Sequence, residues 1–276
     1  MAISRAQMLK ELLPGLNALF GMEYEKYEDE HTMIYETENS DRSFEEEVQL
    51  SGFGQAVVKD EGAAITYDSA QESFTARYNH ETIALGFAIT EEAIEDNLYD
   101  SLSARYTKAL ARAMAYTKQV KAAFPLNNGF TNSFQSGDGV NLFTADGDGV
   151  TGGDGHPLVD GSKNSNRPST AADLNETSLE DAVINIGNFK DQRGLKIAAR
   201  PKRLIVPSAL QFTATRLLES QFRVGTSDND INAISSNGAI PEGYMINHYL
   251  TDTNAFFIIT DVPNGMKHFN RTGMET

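Results

Sequence analysis

The run from Thr90 to Phe124, TEEAIEDNLYDSLSARYTKALARAMAYTKQVKAAF, contains neither glycine nor proline. Apolar or aromatic residues recur at Ile94, Leu98, Leu102, Tyr106, Ala109, Leu110, Ala113, Val120 and Phe124, and steps of three and four put them on one helical face. Thr90 is the expected N-cap. Glu91, Glu92, Glu95 and Asp96 fill the first turns, and Arg105, Lys108, Arg112, Lys118 and Lys121 the later ones, the order that the helix dipole favours. Pro125 and the Asn127-Asn128-Gly129 run are the expected stop. Such a helix is roughly 50 Å long. Arg105, Lys108 and Arg112 interrupt any heptad seam, so the stretch reads as a spine for other elements and not as a coiled coil.

The elements around this spine are short and mixed. A first helix is expected from Ser4, with an apolar stripe of Met8, Leu9, Leu12, Leu13, Leu16, Leu19 and Phe20, kinked at Pro14 and ended by Gly21. The acidic, aromatic stretch from Gly21 to Glu47 has no helical or strand period and reads as an extended arm. Its Tyr24, Tyr27 and Tyr35 need surfaces that the stretch itself does not supply. From Phe44 to His80 the chain is rich in Val, Ile, Tyr, Phe and Thr, alternates at Phe74, Ala76 and Tyr78, and reads as a long hairpin or two short ones. It has too few large apolar residues to bury both faces, and a protruding hairpin packed on another subunit solves that. Ile83–Ile89 is an expected buried strand.

Beyond Pro125 the chain is least regular from Asn127 to Glu176, a length without structure that is usually functional or disordered. Thr177 and Glu180 suggest a capping box for a helix with Leu179, Ala182, Val183, Ile186 and Phe189 on one face. Arg203–Val206 is an expected buried strand, and Ser208 with Gln211 opens a helix that turns Leu210, Ala214, Leu217 and Leu218 inward. Tyr244–Leu250 and Ala255–Thr260 read as a hairpin turning at Asp252-Thr253-Asn254, followed by a strand at Met266–Phe269. This mixture of helix and antiparallel strand indicates an α+β fold.

Composition narrows the function classes. The 276-residue chain has no cysteine, which removes disulfides, thiolate zinc sites and cysteine nucleophiles. A net charge of −16 makes general nucleic-acid binding unfavourable and suits a wall to which DNA must not adhere. No apolar run reaches the ~18 residues of a membrane span. The N-terminus has no signal-peptide pattern, so the cytoplasm is the expected compartment. The five histidines are scattered without a metal-ligand spacing, and no phosphate-binding loop, dinucleotide fingerprint or nucleophile elbow occurs. Clustered oxygen ligands at Asp146, Asp148 and Asp154 are the one candidate metal site, for a hard cation such as calcium. Val150 stands where an EF-hand loop needs a ligand, and no glutamate closes the loop. The residues support no active site; no catalysis and no cofactor are expected. A soluble α+β enzyme, or a calcium-dependent binding domain using residues 125–176, remains the alternative reading.

Particular stretches carry a resemblance. HPLVDG (His156–Gly161), SNRP (Ser165–Pro168), FKDQRGLKI (Phe189–Ile197), RPKRLIVPSALQFTATRLLES (Arg200–Ser220), YMINHYLTDTNAFFIIT (Tyr244–Thr260) and GMKHFNR (Gly265–Arg271) follow one another in the order found in the Mu-type major head subunit branch of tailed-bacteriophage capsid proteins. The whole chain resembles that family, whose fold is the Hong Kong 97 type. The resemblance implies an N-terminal arm (1–43), an extended hairpin loop (44–80), a peripheral domain with the spine helix (81–124 and 244–276) and an axial domain (125–243). It implies a major head protein that self-assembles as hexamers and pentamers into an icosahedral shell around the phage genome, located in the virion capsid and assembled in the host cytoplasm.

The same resemblance implies particular contacts and partners. Subunit contacts are expected at Tyr24, Tyr27, Tyr35, Phe53, Val57, Lys59, Tyr67, Phe74 and Tyr78. Some members of the fold join a hairpin lysine to a neighbour's asparagine, for which Lys59 and Asn270 are the candidates here. Expected partners are a separate scaffolding protein, since no long charged helix precedes Ser4, together with a portal protein, a decoration protein and packaged DNA in non-specific contact. Relatives of this kind continue past the position of Thr276 with another strand and a tail.

Overall fold

The computed structural model describes residues 5–90, 92, 99–147, 154–223 and 230–275, with side chains from residue 14 in the first helix and from 102 in the long helix. Nine strands are present among them: β1 (Glu36–Asn39), β2 (Phe44–Leu50), β3 (Glu72–Asn79), β4 (His156–Pro157), β5 (Lys163–Asn164), β6 (Pro201–Val206), β7 (Tyr244–Ile246), β8 (Phe257–Thr260) and β9 (Lys267–Asn270). The chain forms two compact units. One holds Met1–Asp41, His80–Ala123 and Met266–Thr276; the other holds Arg42–Asn79 and Phe124–Gly265.

In the first unit the opening helix runs Arg5–Tyr24, with Pro14 inside it and Gly21 no obstacle. Ser4, its expected cap, and the side chains of Met8, Leu9, Leu12 and Leu13 lie outside the described residues. Gly21 does not end the helix because its backbone never enters the left-handed region that a glycine stop uses. Tyr24 instead stacks on Phe20 one turn back, ring centroids 6.1 Å apart. The acidic stretch that follows is docked rather than extended. A 3-10 turn at Glu30–Met33 leads into β1, which pairs in parallel with β9 in the register Glu36↔Lys267 to Asn39↔Asn270. His31 and Ile34 are buried. The expected strand at Ile83–Ile89 does not form, and Leu85 and Phe87 stand exposed. The Phe87 ring lies 5.8 Å from that of Tyr106.

The long helix is described over Tyr99–Asn128, about 45 Å at 1.5 Å per residue. Its expected start, with Glu91, Ile94, Glu95, Asp96 and Leu98, lies outside the described residues. Pro125 does not stop it. The helix runs one more turn, closed where the Asn128 side-chain amide donates to the Phe124 carbonyl at 3.0 Å. The buried face is also not the expected one. Ser103, Thr107, Ala111, Ala115, Gln119 and Ala123, every fourth residue, are buried, whereas Tyr106, Val120 and Phe124 are exposed. Small side chains let this face approach its neighbours closely, which leaves the large ones on the flank.

The second unit centres on a sheet of order β7-β6-β8. The expected C-terminal hairpin is split. β7 pairs in parallel with β6, β8 pairs antiparallel with β6, and the two do not touch as a ladder. Leu204, Ile205 and Val206 are almost wholly buried, so β6 takes the centre and its neighbours take its two edges. Phe124–Gly265 fall in one compact unit, so 244–265 share a unit with 125–243, and the division between the units runs through the long helix after Ala123. Helices Glu176–Gly187 and Gln211–Glu219 flank the core of Leu174, Leu179, Leu204, Val206, Ala214, Ile234 and Ile240. The first of them is capped by Asn175 and Ser178 reciprocally, two residues earlier than Thr177 and Glu180 suggested. No side-chain cap from Ser208 precedes the second, but Leu210, Leu217 and Leu218 pack inward as the spacing requires.

Candidate subunit-contact surface

β2 and β3 form an antiparallel hairpin with Phe44 opposite Asn79 and Val48 opposite Thr75. Phe74, Ala76 and Tyr78 are half-buried while Thr75 and Arg77 are exposed, the alternation a one-faced strand shows. Arg77 meets Glu46 at 2.5 Å and lies 4.3 Å over the Phe44 ring; Tyr78 donates to Glu47 at 3.3 Å. The Glu45–Glu47 edge is thus partly spent inside the hairpin. Beyond Leu50 and Glu72 the pairing gives way to a loop. Its neck is closed by Ser51, whose N–H donates to the Gln71 carbonyl at 2.8 Å and whose hydroxyl accepts from the Gln71 N–H at 2.9 Å.

Among the described residues this loop holds the largest concentration of uncovered apolar side chains. Phe53, Val57, Val58, Ile65 and Tyr67 are between 64% and 92% exposed. An apolar cluster of this kind marks a surface awaiting a partner. Lys59 is exposed in the same loop, next to the turn that Ala63 closes on the Asp60 carbonyl at 3.1 Å. Gly62 takes a φ of 77° there, a conformation that a side chain disfavours.

The arm tyrosines divide. Tyr27 is exposed and Tyr24 half-buried on Phe20. Tyr35 is turned onto its own subunit: its hydroxyl donates to the Ala122 carbonyl at 2.5 Å, and burial pushes the phenol well above its ordinary pKa. Asn270 is exposed at the end of β9, opposite Asn39. On the long helix Tyr106, Tyr116 and Val120 are further uncovered large side chains that the periodicity did not single out as a surface.

The candidate metal residues find a cation within the chain. Lys163 Nζ lies 2.5 Å from Asp154 and 3.4 Å from Asp146, so an ammonium stands between the two carboxylates. Asp148 lies outside the described residues. Among the described residues no group of three or more His, Asp or Glu side chains is arranged to hold a metal ion. The nearest approach to a catalytic trio is Ser136, Asp138 and His156. Asp138 accepts from both others, with His156 Nδ1 at 2.6 Å. Burial pushes the Asp138 carboxyl up, but the bonds from His156 and Ser136 outweigh it and hold the group below its usual range. Ser136 is bonded to the carboxylate and not to the imidazole, so the serine–histidine contact of a catalytic triad is not formed. The trio ties two segments of the irregular region together.

One cluster has no signal in the sequence spacing. Parallel pairing of β1 with β9 brings His31 and His268 together, ring centroids 4.9 Å apart. Gln119 Oε1 accepts from the His31 backbone N–H at 3.3 Å and its amide nitrogen donates to Asp29 at 2.9 Å, while Lys118 donates to Asp29 at 3.1 Å. Burial first, then the neighbouring Lys118 charge, lowers the His31 pKa to about 4 against the opposing pull of Asp29. The same influences lower His268.

Comparison with known proteins gives these features a context. The family model for phage capsid proteins matches residues 73–275. The procapsid of bacteriophage JBD30 is similar in structure, with a TM-score of 0.59 at 15% identity, covering 90% of this chain and 100% of that one. The JBD30 capsid decorated with minor capsid protein trimers has a TM-score of 0.57 at 15% identity, over 82% of this chain and 92% of that one. No curated protein sequence matches. The match over residues 73–275 shows that this chain belongs to the phage capsid protein family, as a structural subunit of the shell.

Proposed function

We propose that the chain is the major head protein of a tailed phage, with the Hong Kong 97-type fold of the Mu-type branch, assembling as hexamers and pentamers into an icosahedral shell around the genome. The observation that carries this reading is the loop between β2 and β3. Five large apolar side chains lie uncovered there in a chain that the capsid family matches. Full burial of each is worth roughly 1.5–3 kcal/mol, which gives association a driving force that the lone subunit cannot realise. In this reading residues 1–43 are the arm, 44–80 the extended loop, 81–124 with 266–276 the peripheral domain, and 125–265 the axial domain, the last boundary following the pairing of β7 and β8 with β6. A net charge of −16 lets DNA be packed without adhering to the wall.

The partners follow from the same reading. A separate scaffolding protein shapes the shell in the host cytoplasm, and a portal protein occupies one vertex. Minor capsid protein trimers decorate the JBD30 capsid, and a comparable decoration protein is proposed here. Subunit contacts are assigned to Tyr27, Phe53, Val57, Lys59 and Tyr67, with Phe74, Tyr78 and Tyr24 as half-buried contributors. A Lys59–Asn270 crosslink between subunits is tested by denaturing gels of mature particles, where monomer-sized bands alone would reject it. The assignment of the loop is tested by deleting Gly52–Asp68. The expected product is a folded subunit, seen by circular dichroism, that forms no particles by negative-stain microscopy. Intact shells from the deletion would remove the loop from the contact surface.

A further inference from the structure

The loop that carries the uncovered apolar side chains is fastened to the body of its own unit. Arg193 Nη2 lies 2.9 Å from both carboxylate oxygens of Asp68. Asp68 in turn accepts from the Gly54 N–H at 2.8 Å and from the Ser69 N–H at 2.9 Å. One carboxylate therefore joins the outgoing strand of the loop, the returning strand and a residue far along the chain. Those backbone N–H groups, and then the Arg193 charge, hold the Asp68 carboxyl below its ordinary pKa.

Arg193 is itself well held. It sits in a tight turn in which Asp191 Oδ1 accepts from the N–H groups of Arg193 and Leu195, at 2.9 and 2.8 Å. The turn closes through Gly194, whose φ is 79°. A Cβ on Gly194 would lie 2.3 Å from Asp160, so the turn is also packed against the 156–164 segment. A second fastening lies lower on the hairpin, where a Cβ on Gly137 would be 3.0 Å from that of Ala76. The hairpin is thus gripped along its strands by close packing at Ala76 and, three residues beyond the Ser51–Gln71 neck, by a carboxylate that fixes where the loop leaves the ladder.

We infer that the Asp68–Arg193 contact is a positioning latch that holds the apolar loop ready to engage a second copy of this chain. The inference rests on the shell reading above. Ordering a long loop at the moment of contact costs free energy, and a subunit that has already ordered it associates faster and at lower concentration. The exposed side chains Phe53, Val57 and Tyr67 supply the contact, while Asp68 and Arg193 fix where it is presented.

The test uses the full chain with Arg193→Gln, Asp68→Asn and Arg193→Lys. Three quantities are measured: hydrogen exchange of residues 51–71 in unassembled subunits, their melting temperature, and the assembly rate by light scattering with microscopy. Arg193→Gln and Asp68→Asn are expected to speed loop exchange and slow assembly, each about tenfold, at an unchanged melting temperature. Arg193→Lys, which keeps the charge without the planar fork, falls between. Assembly of Arg193→Gln within about twofold of the unaltered chain would overturn the latch. So would a loss of assembly that tracks a fall in melting temperature, since that marks a merely structural contact. No capsomers or particles from the unaltered chain, either alone or co-produced with the phage's scaffolding protein, would overturn the shell reading itself, and the latch with it.

Discussion

Acidification from pH 7 to pH 4 is expected to loosen the docking of the N-terminal segment through His31. This side chain is 2% exposed, and its pKa is lowered from 6.5 to about 4, by burial first and by Lys118 second. Unfolding returns it to its ordinary value. Between those two pH values the unfolded chain binds a proton that the folded chain refuses, so stability is complete above about pH 6.5 and falls as the pH drops towards 4. A shift of that size corresponds to about 3 kcal/mol at most, at 1.36 kcal/mol per unit. Asp29, Lys118, Gln119 and His268 all face the ring, and His268, also lowered, acts in the same direction. The assay is urea unfolding of unassembled subunits at pH 7, 6, 5 and 4, with His31→Gln as the reference that subtracts the titration of the many carboxylates. The unaltered chain should lose about 3 kcal/mol more than the variant over that range. Parallel pH profiles for the two, or a His31 titration near 6.5 by NMR, would refute the reasoning.

Other substitutions read single contacts. Leu204→Ala empties the centre of β6, where the residue has no exposure, and should cost about 3 kcal/mol in urea unfolding. Gly129→Ala would put a Cβ 2.6 Å from the Pro125 carbonyl oxygen and 2.7 Å from the Phe143 ring; a loss of about 1–3 kcal/mol is expected, and an unchanged midpoint would show that the helix end can shift. Tyr35→Phe removes the bond to the Ala122 carbonyl and should cost about 1 kcal/mol while leaving particle formation intact, because this tyrosine faces its own subunit.

Short-range pattern in the sequence determined a good part of this protein. The alternation at Phe74, Ala76 and Tyr78, the apolar run of β6 and the inward face of the helix at Gln211–Glu219 each follow from residues a few positions apart. The order of its motifs pointed to a phage capsid subunit, the family that matches residues 73–275. Tertiary structure decided the pairings. β7 and β8 look like a hairpin because their turn is local, yet β6, the more buried strand, separates them. β1 gained a parallel partner in β9 more than 200 residues away, and with it the His31–His268 pair. The long helix buried its Ser, Ala and Gln stripe although a richer apolar face lay beside it. Periodicity along an element reports that one face differs from another. Which face is covered, and by what, depends on the competition among distant segments for the same surface, and in a subunit built to associate some apolar faces stay open for another chain.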